Sequence, residues 1–138
     1  NAGTSMNFVP VADLNVVRKA RPDMAHWHDA FGDDAAIGVY VYTRETLFNE
    51  NDFHARFFAP EVGIVEDPAT GSAVAAFAGV VKQFDDPRDG THRYRVEQGY
   101  EMGRPSTIEM EIDVAKGALH AVRIGGPAVL VAEGTLYV

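Results

Sequence analysis

The chain has no cysteine among its 138 residues. That excludes disulfides, thiolate zinc sites, iron–sulfur clusters and cysteine nucleophiles. It leaves the compartment open, because a chain without thiols suits either redox state. Positive charge is also scarce. Twelve Lys and Arg stand against twenty Asp and Glu, a formal net charge of −8. Such a balance repels phosphate backbones and anionic surfaces, so neither nucleic acid nor membrane is expected as a partner. Long apolar runs are missing too. Ala73 to Val81 is the longest and stops at Lys82, far short of the roughly 18 residues that span a bilayer. The N-terminus shows no basic stretch leading into an apolar one, so no signal peptide is read and a cytoplasmic location is expected. Asn1 to Ser5 is small and polar and precedes Met6. It reads as a vector-derived remnant or a linker, with one domain over residues 6–138.

What remains is ordinary globular material, 46% hydrophobic and 23% charged, and long enough to bury a core without staples. Asn7 to Val11 reads as a short edge strand because of Pro10. Asp13 is placed to cap a helix running to Lys19. A second helical piece runs from Asp23 to about Phe31, with Met24, Trp27 and Phe31 on one face and Gly32 ending it. Ala36 to Thr43 and Phe53 to Ala59 are strands by their β-branched and aromatic content. Thr70 to Phe84 is the one strong helix of the second half. Ala73 to Val81 leave it no polar face, so protein should surround it. Strands follow at Tyr94 to Gln98, Thr107 to Val114, Leu119 to Ile124 and Ala128 to Val131, with Gly134 turning into a last strand, Leu136 to Val138. Ile108, Met110, Ile112 and Val114 alternate with Glu109, Glu111 and Asp113, a half-buried period of two. The sum is an α+β fold: a curled, mostly antiparallel, barrel-like sheet around a central apolar helix.

Chemistry concentrates in Glu66-Asp67-Pro68-Ala69-Thr70-Gly71-Ser72-Ala73. Gly71 and Ser72 fall in the first helical turn, where backbone N–H groups lack intrahelical partners and the dipole is positive. Gly71 has no Cβ to keep an anion away. A carboxylate or phosphate could bind there, with Asp67 beside it for acid/base work. The plainer reading is that Asp67, Thr70 and Ser72 cap the helix. The residue pattern alone leaves both open. Elsewhere the signals are weaker. His26 and His28 lie two apart on a helix, facing different sides, so a metal site is not expected. His54, His92 and His120 stand alone. Arg104 would pair with a substrate carboxylate or with Glu66 or Asp67.

Two segments resemble a known family. Arg56-Phe57-Phe58-Ala59-Pro60, Gly63-Ile64 and the Glu66–Ala73 segment form one motif, and Gln98-Gly99-Tyr100-Glu101-Met102-Gly103-Arg104-Pro105-Ser106 the other. In this order they resemble the signatures of the PhzF phenazine-biosynthesis family. The resemblance implies the diaminopimelate epimerase-like fold, in which two similar domains each wrap a sheet around a central helix and the active site lies between them. It covers only the second domain of such a protein. It implies proton transfer on a small carboxylic acid without cofactor or metal. Asp67 matches the family's cleft aspartate, Ser72 its substrate-contacting serine, and Thr70, Gly71 and Ser72 its backbone cradle, with Ala73 next in line. Glu66 and Arg104 are further candidates. The family's acid/base Glu and partner His come from the first domain and have no match here. The expected partners are therefore a small carboxylate and either a second copy in a homodimer or a companion first-domain chain. Failing those, the chain would be a carboxylate-binding module or a non-catalytic remnant.

Overall fold

A computed structural model describes residue 3, residues 5–31 and residues 36–136. The chain order is β1 (Ser5–Pro10), α1 (Leu14–Lys19), α2 (Met24–Phe31), β2 (Ala36–Thr43), β3 (Phe53–Ala59), a single 3-10 turn (Pro60–Val62), β4 (Ile64–Asp67), α3 (Gly71–Asp85), β5 (Gly90–Gln98), β6 (Ser106–Ala115) and β7 (Ala118–Gly125). The strands make one sheet in the order β1-β2-β3-β5-β6-β7, with β4 paired beside β3. Two pairings are parallel, β1 with β2 and β3 with β5. The other four are antiparallel.

The sheet curls around α3. Ala73, Val74, Phe77, Ala78 and Val81 form the helix's inward face. Phe77 is wholly buried, its ring centroid 4.7 Å from Tyr42, 4.9 Å from Phe53, 5.6 Å from Phe8 and 5.9 Å from Tyr40. Burying one such ring contributes about 2–3 kcal/mol. β3 is buried on both faces. Phe53, Ala55, Phe57 and Ala59 face α3, while Phe58 joins Trp27, Val39 and Val41 in a second cluster. α1 is capped as its sequence predicts, with Asp13 accepting the Val16 N–H at 2.8 Å.

The acidic residues that alternate with the apolar ones of β6 form a paired stripe. Glu109, Glu111 and Asp113 meet Arg95, Arg93 and Arg123 from the flanking strands. Opposite charges directly across a sheet attract, so the stripe is a cross-strand ladder.

Four expectations need correction. α3 is not enclosed on all sides: Ser72 and Gly79 are exposed. Small residues on that face make the helix look uniformly apolar in composition while covering little surface. Residues 126–136 contain no strand, so Ala128–Val131 is not one and offers no strand for a turn at Gly134 to pair. Val129, Leu130, Val131 and Leu136 are more than 80% exposed; β-propensity without a pairing partner does not make a strand. β4 is an unexpected strand, formed because its short backbone pairs with β3. β5 starts four residues earlier than its composition suggests, carried by register with β6. The proposed helix stop at Gly32, the end of the last strand at Tyr137 and Val138, and most of Asn1 to Ser5 lie outside the described residues.

Candidate functional site

β4 delivers Glu66 and Asp67 to the start of α3 on opposite faces, as alternation in a strand requires. Their fates differ. Glu66 is taken by Arg56, which donates from Nε to Oε1 at 2.7 Å and from Nη2 to Oε2 at 2.8 Å. The same guanidinium donates to the carbonyls of Val17, Arg18 and Ala20 at the end of α1. Arg56 is 3% exposed, and a bidentate pair with this many acceptors satisfies a buried charge. Glu66 therefore has a structural partner already. Arg104 is exposed and makes no ion pair with Glu66 or Asp67 among the described residues.

Asp67 is half-buried and turns toward the helix start. Its Oδ2 accepts the Thr70 hydroxyl at 2.6 Å. Thr70 occupies the N-cap position, yet its side chain bonds no helix N–H. The simple capping reading thus fails for Thr70, whose hydroxyl orients a carboxylate instead. The Ser72 side chain is exposed, and Ala73 is wholly buried. The first intrahelical bond runs from the Val74 N–H to the Thr70 carbonyl at 3.1 Å. The N–H groups of Gly71, Ser72 and Ala73 precede it and so belong to the turn whose donors have no carbonyl to reach. Beside Gly71 a hollow of about 450 Å³ opens toward Tyr100, Ser106, Thr107 and Gly125. The structure thus brings Asp67, Thr70, Gly71, Ser72 and Ala73 together and leaves Glu66 and Arg104 apart.

The residue that assembles this corner is Gln98, which sequence reasoning passed over as a motif member. It is wholly buried. Its Nε2 donates to the Asp67 carbonyl at 2.7 Å and to Thr70 Oγ1 at 2.9 Å. Its Oε1 accepts the Thr70 N–H and the Tyr40 hydroxyl, both at 3.3 Å. All four capacities of the amide are used. Gly99 follows with φ +81°, and a Cβ there would lie 2.7 Å from the Pro68 carbonyl and 2.3 Å from that of Arg104. Only glycine allows this approach. Residues 98 and 99 of the second motif therefore clasp residues 67–70 of the first.

Among the described residues no group of His, Asp and Glu is arranged to hold a metal. His26 lies 2.8 Å from Asp23 on an exposed helix, and His92 bonds the Arg88 carbonyl. No helix there is long and apolar enough to cross a membrane.

Known proteins resemble this chain along its length. It is 45% identical to an uncharacterized isomerase of Mesorhizobium japonicum, over the whole chain and 47% of that relative. It is 34% identical to the trans-2,3-dihydro-3-hydroxyanthranilate isomerase of Pseudomonas aeruginosa, over 62% of the chain and 30% of the enzyme. The fold matches a PhzF-family protein of Bacillus anthracis with TM-score 0.71, at 19% identity, over 90% of the chain and 45% of that structure. A predicted epimerase of Pseudomonas aeruginosa matches with TM-score 0.58 at 27% identity, over 90% of the chain and 39% of that structure. The chain spans about half the length of the relatives it matches. The family model described as phenazine biosynthesis-like protein covers residues 1–134, and the chain belongs to this PhzC-PhzF family.

Proposed function

We propose that the chain supplies one half of a cofactor-independent isomerase that moves a proton on a small carboxylic acid. The observation that carries this reading is the Asp67 carboxylate, held by the Thr70 hydroxyl at 2.6 Å beside the open N–H groups that begin α3. The N–H groups and the positive helix end hold the substrate carboxylate. Asp67, whose Oδ1 bonds nothing among the described residues, gives or takes the migrating proton. A group on the opposite wall completes the transfer. The relatives' names support isomerisation in general.

The opposite wall comes from a second copy of this chain or from a companion domain, since the chain spans about half of its relatives. A twofold pair would set two Asp67 carboxylates across one cleft, where mutual repulsion separates their proton affinities into an acid and a base. The same half-length favours one other reading, a carboxylate-binding module without turnover.

The test is deuterium wash-in from heavy water into a panel of small carboxylic acids, with the solution mass measured in parallel by light scattering. Proton transfer labels a carbon position, and Asp67→Asn should slow that labelling by about 10²–10⁴-fold. Labelling that survives Asp67→Asn undiminished overturns the role of Asp67. Saturable binding without labelling favours the binding module.

A further inference from the structure

The outer face of β3 carries a buried charge cluster that the proposed chemistry does not use. His54 and Arg56 lie two apart and share that face. His54 is wholly buried. Its Nδ1 lies 2.7 Å from Glu97 Oε2 and its Nε2 lies 3.0 Å from Glu101 Oε1. Both ring nitrogens thus meet acceptor-only oxygens, and only the protonated ring can donate at both. Glu97 also accepts the N–H groups of Leu47 and Phe48 and the Asn51 amide. The Tyr100 ring packs on His54 at 5.7 Å and on Phe48 at 6.1 Å.

Position gives the cluster its significance. Glu97 is in register with His54 at the end of β5, and Glu101 belongs to the turn that follows. That turn is closed by the Arg104 N–H on the Gly99 carbonyl at 2.9 Å. Between the two glutamates lie Gln98, which bonds Asp67 and Thr70, and Gly99, which rests on Pro68. The ring grips one side of this short segment while the Asp67–Ser72 corner is built on the other.

We propose that His54 is a positioning residue: its doubly bonded imidazolium ties Glu97 to Glu101, holds the Gly99–Arg104 turn against Pro68, and keeps the Asp67–Ser72 corner in register only while the ring is protonated. The consequence for ligand binding rests on the functional reading above; the linkage itself does not. The groups facing the ring are Glu97 from β5 and Glu101 and Tyr100 from the turn; Arg56, two residues along its own strand and engaged by Glu66, acts on Glu101. Glu50, in the preceding loop, acts on Tyr100. Burial disfavours the charged ring, but the hydrogen bonds to Glu101 and then Glu97 outweigh it and hold the proton above the ordinary imidazole range. The tie is therefore whole at the ordinary value of about 6.5 and below it for as long as the two glutamates stay ionised. It is released as pH rises through the raised value.

The experiment is an NMR titration of the labelled 138-residue chain from pH 6 to pH 10. It follows the His54 ring together with the backbone amides of Gly99, Gly103, Gly71 and Ser72. The expected result is one shared midpoint above the ordinary imidazole value. Glu101→Gln, which keeps the side-chain shape, should weaken the ring's proton affinity by about tenfold and uncouple the four amides from it. Amides that stay still while His54 titrates, or a ring that never titrates before unfolding, overturn the proposal. Benzoate binding, read at the Gly71 and Ser72 amides, should weaken across the same midpoint. Amides that titrate together without any benzoate binding uphold the His54 tie and count against the carboxylate site. Benzoate binding of equal strength on both sides of the midpoint overturns the tie's control of the site.

Discussion

Replacing Gln98 by alanine is the sharpest test of how the candidate site is built. The substitution strands the half-buried Asp67 carbonyl and the buried Thr70 N–H and Tyr40 hydroxyl, while the Thr70 hydroxyl keeps its bond to Asp67. Two of the lost bonds are short, at 2.7 and 2.9 Å, and two are long, at 3.3 Å. A buried group left unpaired costs about 1–3 kcal/mol. The carbonyl, which loses a short bond, should cost near the middle of that range and the two groups with long bonds its lower end, giving about 4 kcal/mol in all. That is a large share of the roughly 5–15 kcal/mol that holds a domain together. With a urea slope of about 2 kcal/mol per molar, the unfolding midpoint should fall by about 2 M. Gln98→Glu separates volume from hydrogen bonding. It keeps the acceptor for Tyr40 and Thr70 but puts an oxygen where Nε2 faced the Asp67 carbonyl. Its loss should be large at neutral pH and shrink in acid, where the protonated carboxyl can donate. A midpoint shift below about 0.5 M for Gln98→Ala, with the slope unchanged, refutes the reasoning.

Two more outcomes follow from the same corner. Gly99→Ala adds a Cβ against the Pro68 and Arg104 carbonyls at positive φ, whereas Gly103→Ala, at φ +69°, meets open space. Thermal melts should show the first costing more than about 2 kcal/mol and the second only the 1–2 kcal/mol of left-handed backbone; equal losses would mean the close approach is not rigid. Glu97 gives the acid limb of stability. Burial opposes its charge, but hydrogen bonds from the Leu47 N–H, Asn51, His54 and the Phe48 N–H overcome this and hold its pKa below the usual range. Its contribution is present above the ordinary glutamate value of about 4.3 and is lost as pH falls through the lower folded value. Melts between pH 7 and pH 3 should therefore flatten in Glu97→Gln, and an unchanged acid slope would place the stabilisation elsewhere.

Much of the molecule follows from local pattern. β2 and β3 run from Ala36 to Thr43 and from Phe53 to Ala59, the spans their β-branched and aromatic residues predict. β6 buries Ile108, Met110, Ile112 and Val114 because every second residue of a strand shares a face. α3 sits where an apolar helix needs cover, and Asp13 caps α1 as an aspartate before a helix should. The Asp67–Ser72 corner is legible for the same reason, since a helix start and the residues before it are neighbours in sequence. Tertiary structure decided the rest, through partners far apart in the chain. The parallel pairings of β1 with β2 and β3 with β5 depend on register between distant segments. Whether Ala128–Val131 becomes a strand depends on a pairing edge, and among the described residues it finds none. Glu66 and Asp67 look alike in sequence; β4 turns one to Arg56 and the other to Thr70. Gln98 reaches Asp67 across 31 residues, and His54 reaches Glu97 across 43. Periodicity reports which face a residue takes, because that is set by its own backbone. It carries nothing about which distant group will stand opposite, because that is set only when the sheet closes around the helix.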